Sequence, residues 1–160
     1  MATTSNAHQT VWTTPTDTQI VSERDFDAPI DVVFAAFTRP EHVQQWLLGP
    51  DGWIMPTCEI DLRVGGAWRY VWRNPSDGRE FEMHGVYREI EPPGLIINTQ
   101  VYEESESVNR MELTGVGGRT HMRHTMTLPS QEARDAVLAT GMTSGADTSY
   151  DRLESYLAAR

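Results

Sequence analysis

The stretch Ala28-Pro29-Ile30-Asp31-Val32-Val33-Phe34, continued by Thr38-Arg39-Pro40-Glu41 and closed by Trp46-Leu47-Leu48-Gly49-Pro50, decides the fold. Pro29 suits a first helical turn, and Asp31 complements the positive end of a helix. Val33, Phe34 and Phe37 recur at helical spacing. Thr38 is the expected N-cap of a second helix, with Pro40 near its first position. Val43, Trp46 and Leu47 give that helix an apolar face, and Gly49-Pro50 ends it. Two short helices therefore follow one another within a single turn of chain.

On either side of them the hydrophobic period is two. Ile20, Val21 and Phe26 mark a strand before the helices, broken at Asp27-Ala28-Pro29. After them, Trp53 to Leu62 reads as a strand and Gly65-Gly66 as a tight turn. In Ala67 to Arg73, Trp68, Tyr70 and Trp72 point one way and Arg69 and Arg73 the other. Asn74-Pro75-Ser76-Asp77-Gly78 turns the chain, and Arg79 to Glu89 alternates again with Phe81, Met83, Gly85 and Tyr87 on one side. Pro92-Pro93-Gly94 leads into Leu95–Glu103, and Gly115–Gly118 into Arg119–Leu128. The acidic run Glu103-Glu104-Ser105-Glu106 reads as a solvated hairpin loop.

Beyond Pro129 the period becomes 3.6, with Ser130 as cap and Ala133, Val137, Met142, Ala146, Leu153 and Leu157 along one face. Gly141 is the place for a kink. The class is α+β: a six- to seven-stranded antiparallel sheet, two short helices after its first strand, and a long C-terminal helix. One long helix can cover one apolar sheet face only if the sheet curves around it, which can leave a hollow between the two. Residues 1–16 have no apolar period and read as a disordered tail, and residues 17–160 as one domain. Trp12 stands out in that tail as a side chain that docks on the domain or on a partner.

Composition narrows the functions. A net charge of -10, from 23 Asp and Glu against 13 basic residues, all of them Arg, argues against nucleic acid and anionic membrane surfaces. No apolar run is long enough to span a bilayer and no signal segment stands at the N-terminus, so no stable membrane insertion is expected. Cys58 is the single cysteine, which fits the cytoplasm and a small buried hydrophobe. No cofactor fingerprint or metal spacing is present: His121 and His124 are three apart on a strand and point to opposite faces. No catalytic residue is assigned.

The candidate site is the wall of the hollow. Its aromatic part is Trp46, Trp53, Trp68, Tyr70 and Trp72, joined by Phe81, Met83 and Tyr87. Trp and Tyr offer a lipophilic surface and an N–H or O–H handle for a polar ligand end. His124 shares a strand face with Met126, so burial would keep its imidazole neutral and able to orient a ligand carbonyl or hydroxyl. Gln100 is the second polar candidate. Met142 and Gly145 belong to the facing helix, where a missing side chain enlarges the space.

With those residues in place, the chain resembles the SRPBCC or START-like helix-grip superfamily, and within it the group named after the activator of heat-shock-protein-90 ATPase. The resemblance spans residues 18–158 and rests on Ala28-Pro29, Trp46-Leu47-Leu48-Gly49-Pro50, Gly65-Gly66-Ala67-Trp68 and Gly85-Val86-Tyr87 through Glu91-Pro92-Pro93. It implies a helix-grip fold and a cavity for a small, mostly hydrophobic molecule, aromatic or lipid-like. It also implies alternatives: a polyketide cyclase or aromatase, a chaperone-ATPase-activating module, or a self-resistance protein that sequesters a toxic metabolite. A chaperone partner follows from the group's name alone, and a homodimer stays open. The group usually has an aliphatic residue where this chain has His124, and often an acidic one at Gln100.

Overall fold

A computed structural model describes residues 8–159. Eight strands form one antiparallel sheet: β1 (Val11–Thr13), β2 (Gln19–Phe26), β3 (Ile54–Ile60), β4 (Ala67–Arg73), β5 (Glu80–Glu91), β6 (Leu95–Tyr102), β7 (Ser105–Val116) and β8 (Arg119–Thr127). Their spatial order is β1-β2-β8-β7-β6-β5-β4-β3. Helices α1 (Ile30–Thr38) and α2 (Pro40–Trp46) carry the chain from β2, near one edge, to β3 at the other. The sheet curves about the C-terminal helices α3 (Gln131–Ala139) and α4 (Met142–Ala158), a helix-grip arrangement.

The sheet gains a strand over the expected six to seven because the segment read as a tail contributes one. Val11–Thr13 pairs antiparallel with Val21–Glu23, so the disorder expected for residues 1–16 does not hold there. Residues 1–7 of that segment lie outside the described residues. What holds β1 down is tertiary: Trp12 Nε1 donates to Asp147 Oδ1 at 2.9 Å, and the ring packs against Ile20, Met126 and Leu128. Trp12 therefore docks on its own domain. Behind it, the guanidinium of Arg24 is 2% exposed and bonds Thr10, Asp151 and Glu154, pinning β1 and α4 together.

Three local expectations shift. Thr38 ends α1, donating to Phe34 O at 2.8 Å, and does not cap α2; Arg39 takes the cap and Pro40 the first helical position. Pro29 is the N-cap of α1 rather than part of its first turn. The long C-terminal helix is two helices. Gly141 adopts φ +78°, a left-handed conformation that breaks the helix at no steric cost to glycine. Ser130 does cap α3, accepting from Ala133 N at 3.0 Å.

The core sits between sheet and α4, with Phe26, Val33, Trp46, Met122 and Leu153 at 0–1% exposure. Gly85 matters to its geometry. A Cβ there would lie 1.8 Å from Thr99 O, so only glycine lets β5 approach β6 this closely. That approach lets Trp68 Nε1 donate to the same carbonyl at 3.1 Å and Val86 N donate to Thr99 Oγ1 at 3.0 Å. No helix among the described residues is long and apolar enough to cross a membrane.

Candidate functional site

A cavity of about 880 Å³ lies between the concave sheet face and the C-terminal helices, partly open to solvent. Every residue singled out from the sequence lies on its wall. From β4, alternation sends Trp68, Tyr70 and Trp72 inward, while Arg69 pairs with Glu59 and Glu82 on the outer face. From β5 come Phe81, Met83 and Tyr87; from β6, Gln100; from β8, His124 and Met126. Trp46 and Trp53 come from the segments around α2, and Met142 and Gly145 from α4. Trp46, Trp68, Trp72 and Tyr87 are at most 6% exposed, so they are core as much as wall.

The aromatic wall is an edge-to-face and stacked array. Trp72 stacks on Phe81 at 4.7 Å, and Phe81 meets Trp53 and Tyr102 edge-on. Tyr70 meets Trp72 edge-on and lies tilted against Trp68. Three of the indoles do not offer the expected N–H handle to the cavity. Trp46 donates to Ala36 O at 2.9 Å, Trp68 to Thr99 O and Trp72 to Leu47 O at 2.7 Å. Each buried indole donor is already satisfied by a backbone carbonyl, as the cost of burying it unpaired requires. Those three indoles thus present apolar faces to the cavity.

Polarity comes instead from the sheet floor. Asn98 on β6 sits directly opposite Asn109 on β7, and Gln100 opposite Ser107. Asn109 Nδ2 donates to Gln100 Oε1 at 2.9 Å. The Oδ1 atoms of both Asn98 and Asn109 are buried without a hydrogen-bond partner. On the next strand His124 pairs with Met111, one step along the same face from Asn109. Desolvation pulls its pKa from 6.5 to about 4, so the ring is neutral near pH 7. Burial likewise pushes the Tyr70 and Tyr87 hydroxyls up, and that of Tyr150 too, where Ser22 and Arg24 offset it in part. All three are neutral phenols.

His121, three residues away, faces the outside. Its ring bonds Asp25 at 2.6 Å and Glu23 at 2.9 Å, which raises its pKa. The two histidines are thus on opposite faces. Among the described residues no group of three His, Cys, Asp or Glu side chains could hold a metal ion. Cys58 is half-buried, and burial together with Glu41 and Glu59 pushes its thiol up to about 12. The thiol stays protonated near pH 7, the less nucleophilic form.

At the mouth, the loop after α2 is fastened to α4. Gly49 N donates to Ser149 Oγ at 2.8 Å, and Arg152 donates to Trp46 O, Gly49 O and Asp51 Oδ1. Gly145 faces Pro50 in that loop, 3.5 Å from where its Cβ would be. Asn98, Ser107, Asn109, Tyr150 and the α3 residues Ala133 and Val137 also line the cavity and were not singled out from the sequence. The alternation Ser107, Asn109, Met111 carried the signal for two of them: polar residues on an inward strand face.

A family model described as activator of Hsp90 ATPase homolog 1-like protein matches residues 27–158. Among solved structures, a protein from Rhodobacter sphaeroides is similar at 30% identity, with 94% of this chain and 99% of that chain covered and a TM-score of 0.88. A protein from Mycobacterium smegmatis is similar at 22% identity, covering 95% and 98%, with a TM-score of 0.83. An AHSA1-like protein from Aeromonas hydrophila shares 19% identity over 86% and 93%, with a TM-score of 0.71. The last two likenesses show the fold alone. No curated protein matches the chain.

Proposed function

The chain belongs to the activator of Hsp90 ATPase homolog 1-like family, of the SRPBCC helix-grip superfamily, and from that premise we propose that it binds a small, mostly hydrophobic molecule between sheet and C-terminal helices. The observation that carries this is the cavity of about 880 Å³ with aromatic walls. Well-packed interiors leave few voids larger than a water molecule. A hollow of this size lies in the range of small-molecule sites, with an apolar lining and a few convergent polar groups.

We read it as a site that orients a ligand. His124 is neutral, which suits it to orient a ligand carbonyl or hydroxyl. The cytoplasm is the proposed compartment, in keeping with a single unpaired cysteine.

Titration with Nile red, an uncharged lipophilic dye, tests the reading. Saturable enhancement of dye fluorescence with quenching of the protein's Trp emission is expected. Gly145→Leu, which places a side chain beside Pro50 at the mouth, is expected to weaken it severalfold while the protein stays folded. No saturable binding by the wild type sinks the proposal. Family membership favours one other reading, activation of an Hsp90-type ATPase. Stimulation of a purified Hsp90 ATPase by a protein that takes up no Nile red would replace the first reading with the second.

A further inference from the structure

The cavity has a charge character that its apolar walls do not dictate. Its lining contains no Arg, and the chain contains no Lys. The charged side chains that line it are Glu103, Glu104 and Glu106, all exposed, at the β6–β7 hairpin. A carboxylate or phosphate held here loses hydration and finds no cation among the lining residues, where the only carboxylates repel it; Arg152 at the mouth is already engaged by Asp51 and two backbone carbonyls, and Arg79 lies over the Trp53 ring. Desolvating an anion without a cation beside it is strongly unfavourable. Anionic lipids are therefore poor occupants, whatever the fit of their chains.

Inside, the unmet demand is for a hydrogen-bond donor. Asn109 is 8% exposed and its Oδ1 has no partner, while its Nδ2 is held by Gln100. Asn98, directly across the ladder, carries a second unpartnered Oδ1. A buried acceptor without a donor is unfavourable, and a ligand donor relieves it on binding. The amide torsion is soft, so a small swing presents the oxygen to the cavity. Turning the Asn109 and Gln100 amides over together would leave an N–H unmet instead, and a hydroxyl serves either arrangement because it donates and accepts. Around this floor stand flat rings, among which the N–H donors of Trp46, Trp68 and Trp72 are already spent.

Resting on the binding role proposed above, we propose that the cavity selects uncharged aromatic ring systems bearing a hydroxyl group, which lodges against Asn98 and Asn109, and rejects carboxylate-bearing analogues of the same shape. The test compares three probes of one skeleton: pyrene, 1-hydroxypyrene and 1-pyrenecarboxylate, each titrated at pH 7 by Trp quenching. 1-Hydroxypyrene is expected to bind at least tenfold more tightly than 1-pyrenecarboxylate and at least threefold more tightly than pyrene. Asn109→Leu is expected to abolish the advantage over pyrene and leave pyrene itself bound. Replacing Glu103 and Glu104 by Gln, on an exposed turn where folding is not at stake, is expected to raise 1-pyrenecarboxylate affinity severalfold.

Equal or tighter binding of the carboxylate overturns the proposal, and so does pyrene binding as well as its hydroxyl derivative. In either case the cavity still binds, and the broader reading survives. If the pyrenes fail while Nile red binds, the proposal alone falls. If neither class of probe binds, both fall. The wild-type comparison decides the matter even where Asn109→Leu does not fold.

Discussion

Acidification should destabilise this protein through His124, and replacing that residue should remove the effect. Burial alone lowers its pKa from 6.5 to about 4, with no charged neighbour contributing. The unfolded chain, with a histidine near 6.5, binds a proton that the folded chain refuses between these values. Stability is therefore fully present above pH 6.5 and is lost as pH falls toward 4. At about 1.36 kcal/mol per pKa unit the whole difference is about 3 kcal/mol, of which about 2 kcal/mol is lost by pH 5. Water inside the cavity would solvate the imidazolium, so these are upper figures. His121 acts with the opposite sign: its raised pKa gives stability that is present at low pH and lost as pH rises through the folded value. Because it is retained in both proteins, it cancels in the comparison. Urea unfolding of wild type and His124→Leu at pH 8 and pH 5 supplies the test. The wild type should lose about 2 kcal/mol more than the variant, roughly 1 M in urea midpoint. An NMR titration assigns the site directly. A His124 midpoint near 6.5 in the folded protein would refute the reasoning, since the ring would then be as hydrated as in an open chain.

Gly85→Ala should cost about 3 kcal/mol, because the added methyl meets the Thr99 backbone at 1.8 Å and neither strand can yield without breaking the Trp68 bond. An unchanged midpoint in thermal unfolding would show that β5 and β6 are not so close. Trp12→Ala should lose about 2 kcal/mol, less than truncation of a fully buried Trp, through the Asp147 bond and the packing on Ile20, Met126 and Leu128. Trp12→Phe should recover most of it, and urea unfolding at neutral pH measures both. Wild-type stability in Trp12→Ala would mean that β1 is not docked.

The architecture was legible because its signals are local. A Pro-Glu start and a Gly-Pro stop delimit α2, and the Trp68-Tyr70-Trp72 alternation assigns faces without reference to any other strand. The thirteen residues singled out line one cavity for the same reason: period two and period 3.6 report which way a side chain points. Where reading stopped at composition, it erred. The segment holding Trp12 has no apolar period, yet β1 forms because Asp147, over a hundred residues later, accepts a hydrogen bond from that indole. The C-terminal run keeps one apolar face throughout, and only the conformation of Gly141 divides it.

What the sequence by itself determined is the helix-grip scaffold, the aromatic face of its sheet and the acid character of the chain. What only the tertiary structure decided is which polar atoms are spent and which are left over. The indole N–H groups of Trp46, Trp68 and Trp72 are consumed by Ala36, Thr99 and Leu47, whereas Asn98 and Asn109 keep unpaired oxygens and His124 stays uncharged. The reason is physical: periodicity gives the direction of a side chain, but hydrogen-bond satisfaction and desolvation depend on partners that folding brings from distant parts of the chain.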